Sequence, residues 1–167
     1  MATEWRVWIT PLVAGLHYLA LAFGLGGVYG RWRGLRALSG SGGGKASSAD
    51  RDRHIGTVLH GDNWYGAAAL LWAATGLTRA FGGLEKGTDY YLANRVFLAK
   101  MWVFAIVFAL EVWPMATFIG WRLAMKRGRF KPPSASAALL LARLTAAEGL
   151  LLLAMPFLAA AMARGMG

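Results

Sequence analysis

The chain has 167 residues, no cysteine and a formal charge of +10, yet 57% of its residues are hydrophobic, 16% are charged and its mean hydropathy is +0.44. A soluble domain carries about 25% charged and 45–50% apolar residues, so this balance points away from a nucleic-acid partner and toward a membrane protein with basic loops in contact with lipid. Without cysteine there are no disulfides, thiolate zinc sites, cysteine nucleophiles or cysteine-bound iron–sulfur clusters.

A bilayer core of about 30 Å takes about 20 mostly apolar residues per helix. Four segments satisfy this in chain order: 8–30, 59–81, 96–121 and 135–163. Together they predict an all-α, single-domain integral membrane protein, a four-helix bundle over residues 1–167. The first segment is too long an apolar run for a secretory signal, and basic residues follow it instead of a small-residue cleavage site. Between the first and second spans, residues 39–48 are rich in Gly and Ser and predict a flexible cytoplasmic loop. Ser48 and Asp50 then suit a helix start. The connection 82–94 predicts a short loop whose Tyr90 and Tyr91 sit at the headgroup level with Trp5 and Trp8. Pro114 and Pro156 are expected to bend the third and fourth spans.

Orientation follows from Lys and Arg. Eleven fall in the first and third connections, from Arg31 to Arg53 and from Arg122 to Lys131, against five in the N-terminal tail, the middle loop and the C-terminus. The excess places both connections in the cytoplasm and both termini outside.

Ionisable residues within the spans carry the functional signal, because a charge near the bilayer centre costs about 2.5–3.5 kcal/mol on insertion scales and is kept where it has a partner or a task. His17 lies roughly 13 Å from the outer end of its span, on a face with Thr10, Val13, Ala20 and Gly24. It suits either a metal or proton ligand or a hydrogen bond between helices. Lys100 and Glu111 share a face with Phe104 and Val107, Lys100 close enough to the outer end to snorkel. Glu111 and Arg143 lie at matched depth on the third and fourth spans and are expected to form a structural ion pair. Glu148, mid-span, then lacks an evident cation and either carries a proton or faces His17. At the inner edge of the second span, His60, Asp62 and Trp64 form an interfacial polar cluster.

Leu16-His17-Tyr18-Leu19, Asp62-Asn-Trp64-Tyr65-Gly66 and the run from Gly87 through Tyr90-Tyr91 and Asn94 to Lys100 together resemble an uncharacterised family of small bacterial four-helix membrane proteins. More distantly, a His on the first helix and a Lys on the third resemble the small membrane protoporphyrinogen oxidases and the copper-resistance CopD proteins. That second resemblance implies b-type haem held through His17, with Lys100 beside it. Met155, at nearly the depth of His17, is the candidate for the other axial ligand, and Glu148 for orienting the His17 ring. The expected function is therefore a haem-binding redox protein, with His17 as iron ligand and His17, Lys100, Met155 and Glu148 as the cofactor site. Two alternatives stand beside it. One is a non-catalytic subunit of a larger membrane complex or a homo-oligomer, docking through Gly26-x-x-x-Gly30 and the Ala/Gly stripes. The other is a proton or small-solute carrier using Glu111, Glu148 and His17 as a relay.

Overall fold

A computed structural model describes residues 4–40 and 47–166. Five helices follow in order: α1 Glu4–Gly40, α2 Ser48–Phe81, α3 Thr88–Ala93, α4 Arg95–Lys126 and α5 Ala135–Ala163. Among the described residues there is no strand. Three helices, α1, α4 and α5, are long and apolar enough to cross a membrane. α2 is long enough at 34 residues but carries His60, Asp62 and Asn63 near its middle and Arg79 in its last turn.

Each long helix buries one stripe, and the stripes repeat by seven. On α1 the buried residues include His17, Ala20, Gly24, Gly27, Arg31, Gly34 and Leu38. On α2 they include Val58, Gly61, Tyr65, Ala68, Trp72 and Thr75. On α5 they include Ala138, Leu141, Thr145, Glu148, Leu152 and Met155. Alternating steps of three and four keep one face of a helix turned to its neighbours, as in left-handed helix packing. α1 packs most extensively against α2 and α5, α4 packs against α5, and α2 scarcely touches α4.

In lipid, apolar burial gains little over contact with acyl chains, so helices hold together by close approach of small residues and by polar bonds. Both appear on the α1–α2 seam. A Cβ on Gly27 would lie 2.7 Å from the Gly61 carbonyl oxygen, and one on Gly61 would lie 2.7 Å from the Arg31 backbone nitrogen. Only glycine fits there. Gly26, by contrast, faces open space, so the stripe that seats α2 is displaced by one residue from Gly26-x-x-x-Gly30, and the Gly26 face stays uncovered by the chain's own helices.

Thr10 donates to the Leu84 carbonyl and Asn94 to the Met166 carbonyl, which brings both terminal segments to the end of the molecule that holds α3. The α1–α2 and α4–α5 connections lie at the other end. A core cluster with Leu35, Val58, Phe118 and Leu141 fills the connection end, one with Ala20, Tyr65, Val107 and Leu152 fills the middle, and Ala80, Tyr91 and Phe97 close the terminal end.

Several boundaries differ from expectation. α1 runs ten residues beyond Gly30, because Leu35 and Leu38 continue its buried stripe. α2 starts at Ser48, eleven residues before Leu59, capped by Ser47 instead of Ser48 or Asp50: the Ser47 Oγ accepts from the Asp50 N–H at 3.1 Å. Of the Gly/Ser loop 39–48, residues 41–46 lie outside the described residues. The expected loop 82–94 contains α3, six residues long.

Candidate functional site

Arg31, counted from the sequence as a loop cation, is fully buried in the α1 stripe. It reaches a carboxylate on each of the three other long helices. Its two terminal nitrogens donate to the two oxygens of Glu111 on α4, each at 2.8 Å. Nη2 also donates to Glu148 on α5, and Nη1 to Asp62 on α2 at 3.4 Å. The fork geometry of a guanidinium matches a carboxylate with two parallel bonds, the strong class of side-chain hydrogen bond. Tyr65 and Phe118 present their rings to the guanidinium carbon at 4.8 and 5.6 Å, which favours a desolvated cation further.

Asp62 is bound from its other side by Arg122, whose Nη2 lies 2.8 Å from the second carboxylate oxygen. The same nitrogen donates to Asn63 Oδ1 and to the Leu59 carbonyl. Two guanidiniums thus face three carboxylates in one layer. Within it, Glu148 Oε1 and Arg31 Nε are buried with no partner.

This layer corrects the expected pairings. Glu111 bonds Arg31 and not Arg143, which is exposed on α5, so the Glu111–Arg143 pair does not form. Equal depth along two helices does not set the side each residue faces, and Arg143 lies off the buried stripe that carries Glu148. Glu148 has its cation in Arg31 and does not bond His17. The expected cluster of His60, Asp62 and Trp64 divides across α2: Trp64 Nε1 donates to His60 Nε2 at 2.9 Å on the exposed face, while Asp62 turns inward.

A cleft of about 370 Å³ opens beside the layer, between α2 and α4. Glu111 and Asp62 stand at one end of its lining, Tyr65, Trp72 and Phe104 form walls, and Ala20 and Gly24 of α1 form part of the floor. Leu70, Phe108 and Met115 at its margin are exposed, so it opens sideways, toward lipid if the helices cross a bilayer. The Trp72 indole N–H is buried without a partner.

His17 occupies a separate level. Its Nδ1 lies 3.1 Å from the Trp72 carbonyl and 2.9 Å from Thr75 Oγ1, and its ring stacks on the Trp72 indole at 5.4 Å. The Thr75 hydroxyl is itself 2.7 Å from the Leu71 carbonyl, to which it donates. Nδ1 is therefore the protonated nitrogen, and Nε2 keeps its lone pair. His17, Lys100 and Met155 line one small cavity, so three of the four expected cofactor residues meet, and Glu148 is the one that does not.

A haem group is tested by the room these residues leave. The cavities bordering His17 measure about 120 and 140 Å³, whereas small-ligand pockets begin at about 300 Å³. Gly76 closes in from the side, a Cβ there lying 3.1 Å from His17 Cε1. As packed, the residues do not fit a porphyrin. Among the described residues, no group of three or more His, Cys, Asp and Glu is placed to hold a metal ion.

Residues 9–167 match the family model described as a predicted membrane protein, DUF2214. The chain belongs to the DUF2214 family. No curated protein and no solved structure is detectably similar to it. The match runs from the first turns of α1 to the C-terminus, so every residue of the Arg31 layer lies within the part of the chain that defines this DUF2214 protein as a membrane protein.

Arg31 is the residue that composition and loop counting missed. A signal for it was present: the stripe His17, Ala20, Gly24 extended by sevens lands on Gly27, Arg31, Gly34 and Leu38.

Proposed function

We propose that this DUF2214 protein is a four-helix bundle of the bacterial inner membrane, with both termini outside, whose α2–α4 cleft binds a small, largely apolar cation at Asp62 and Glu111. With Arg31 buried, the loop cations number ten against five, and the asymmetry still favours connections in the cytoplasm. α2 is able to join the three apolar helices in the membrane because its Asp62 is neutralised by Arg31 and Arg122.

One observation carries the binding role: three carboxylates share two guanidiniums in the layer, and two of the three, Asp62 and Glu111, line an apolar cleft of about 370 Å³. Unbalanced charge in an apolar layer is costly, so the third carboxylate is balanced by a proton or by a cation. The cleft volume lies in the range of small-molecule sites, and its aromatic walls suit a cation with apolar substituents. The two occupants compete, which gives the elements of a carrier. His17, bonded to Trp72 and Thr75, takes no part in the expected relay with Glu111 and Glu148.

Equilibrium dialysis of the purified protein against tetraphenylphosphonium tests this. Saturable binding that weakens as pH falls, and that drops at least tenfold in D62N, is the expected result. Binding that is absent or unchanged in D62N overturns it, with neutral tetraphenylmethane derivatives as the control for apolar partition.

The haem reading retains one supporting observation, the orienting bond at His17 Nδ1, against the small cavities beside it. The accessory-subunit reading keeps the open face at Gly26, where a Cβ would meet nothing within 4 Å.

A further inference from the structure

At the terminal end, a cavity of about 140 Å³ is lined by His17, Arg79, Glu85, Lys86, Tyr91 and Lys100 among others. Three cations share it with one carboxylate. That carboxylate is already occupied on both oxygens: Arg79 Nε donates to Glu85 Oε1 at 2.7 Å and the Tyr91 hydroxyl to Oε2 at 2.6 Å. Lys86 donates to the Tyr90 hydroxyl at 3.0 Å. Lys100 makes no hydrogen bond or ion pair among the described residues, while the Arg79 guanidinium also lies over the Tyr18 ring, 5.5 Å from its centroid. The wall therefore holds an excess of positive charge, with the unused N–H donors of Lys100 on a partly buried side chain, the arrangement that recognises a phosphate or carboxylate head.

This cavity has an apolar continuation. The 120 Å³ cavity beside it shares His17, Gly76, Ala80, Phe97 and Lys100 and is otherwise lined by residues such as Leu77, Phe81, Met101 and Phe104. Leu77 and Phe81 are exposed on the outer face of α2, so the apolar part opens to the surroundings of the helices. Lys100 stands five residues, about 8 Å, inside the start of α4, the depth at which an ammonium reaches toward headgroups. Polar head site and apolar channel meet at one lysine.

We propose that this paired cavity is a binding site for part of an anionic phospholipid: Lys100 and Arg79 hold its phosphate, the first carbons of one acyl chain enter the channel between α2 and α4, and the rest lies outside past the exposed Leu77 and Phe81, so that two cavities too small to enclose a rigid porphyrin suffice. A free phosphate shares the head chemistry but has nothing to place in the channel. The site does not depend on the cation reading of the Asp62–Glu111 cleft, which lies toward the other end of the molecule and has carboxylates where this one has cations.

Native mass spectrometry of the full chain in a neutral detergent, titrated separately with phosphatidylglycerol, phosphatidylcholine and inorganic phosphate, tests the assignment. Phosphatidylglycerol is expected to bind at one saturable site, at least tenfold more tightly than phosphatidylcholine or inorganic phosphate. K100Q is expected to lower that affinity at least tenfold, K100R to retain it within about threefold, and R95Q, on a cation outside the cavity, to leave it unchanged. Equal binding of the two lipids, unaltered binding in K100Q, or inorganic phosphate binding as tightly as the lipid each overturns the proposal. Should K100Q fail to fold, R79Q carries the same expectation.

Discussion

The Arg31 layer and the Lys100 cavity are built from similar residues and solve opposite problems. Around Arg31, four helices converge and every terminal nitrogen has a carboxylate partner, with acid in excess. Around Lys100, the single carboxylate is taken by Arg79 and Tyr91, and base is in excess. The first arrangement couples the helices to one another. The second leaves donors for something that is not part of the chain. The difference teaches that a charge within an apolar helix is not by itself a site: what each end can bind is set by the charge that its own partners leave over, acid around Arg31 and base around Lys100.

Breaking the comparison at its stronger end has the largest expected effect. R31M leaves three carboxylates facing one guanidinium, and removal of one member of a buried ionic network costs about 3–5 kcal/mol. Denaturant unfolding in detergent should show that loss, and R31M/E111Q/E148Q should recover much of it. An R31M protein as stable as the wild type would mean that the layer does not hold the helices together.

The seam beneath that layer comes next. G61V forces side-chain atoms against the Arg31 backbone nitrogen and the Gly27 carbonyl, each 2.7 Å from a Cβ, and overpacking of this kind costs about 1–3 kcal/mol. G26V, which meets nothing within 4 Å, should leave the melting temperature within a degree or two, and equal effects in the two variants would refute the displaced stripe.

His17 sharpens the contrast at an intermediate level. H17A removes one hydrogen bond and a stacked ring, worth together about 1–2 kcal/mol in thermal unfolding. Absorption of the wild type in the Soret region is expected to be flat. A Soret band that disappears in H17A would restore the haem role in place of the interhelical bond.

The smallest effect concerns Glu85, outside the spans. Burial opposes its ionisation, but the bonds from Arg79 and Tyr91 outweigh burial and hold its carboxyl below the usual range. Burial and the neighbouring Glu85 push the Tyr91 hydroxyl the other way, above its usual value. Because folding lowers the Glu85 value, its contribution is fully present above the unfolded pKa of about 4.3 and is lost as pH falls through the lower folded value. The melting-temperature difference between wild type and E85Q should therefore be constant at neutral pH and close below pH 4. A difference that widens on acidification contradicts the assignment.

Much of the fold was legible because membrane helices declare themselves by apolar length: 96–121 and 135–163 fall within α4 and α5, and 8–30 and 59–81 within α1 and α2. The errors have two causes. Ending the first span at the first arginine discarded the α1 residues whose stripe continues through Gly34, Leu35 and Leu38, and with them the residue that organises the interior. Matching Glu111 with Arg143 used depth alone, and depth leaves open which side of α5 faces α4. His17 and Met155 do share a cavity, as their levels along the helices suggested, and Lys100 joins them there.

The amino-acid sequence by itself determined the class of protein, where the four long helices lie along the chain and the presence of unusual charges among them, because these follow from composition and from a periodicity carried along one chain. Only the tertiary structure decided which charges are partners. An ion pair between helices depends on rotation about each axis, on which helices are neighbours, and on how closely glycines such as Gly27 and Gly61 let them approach. Arg31 stands 31 residues from Asp62, 80 from Glu111 and 117 from Glu148 along the chain, and no local pattern links residues so far apart.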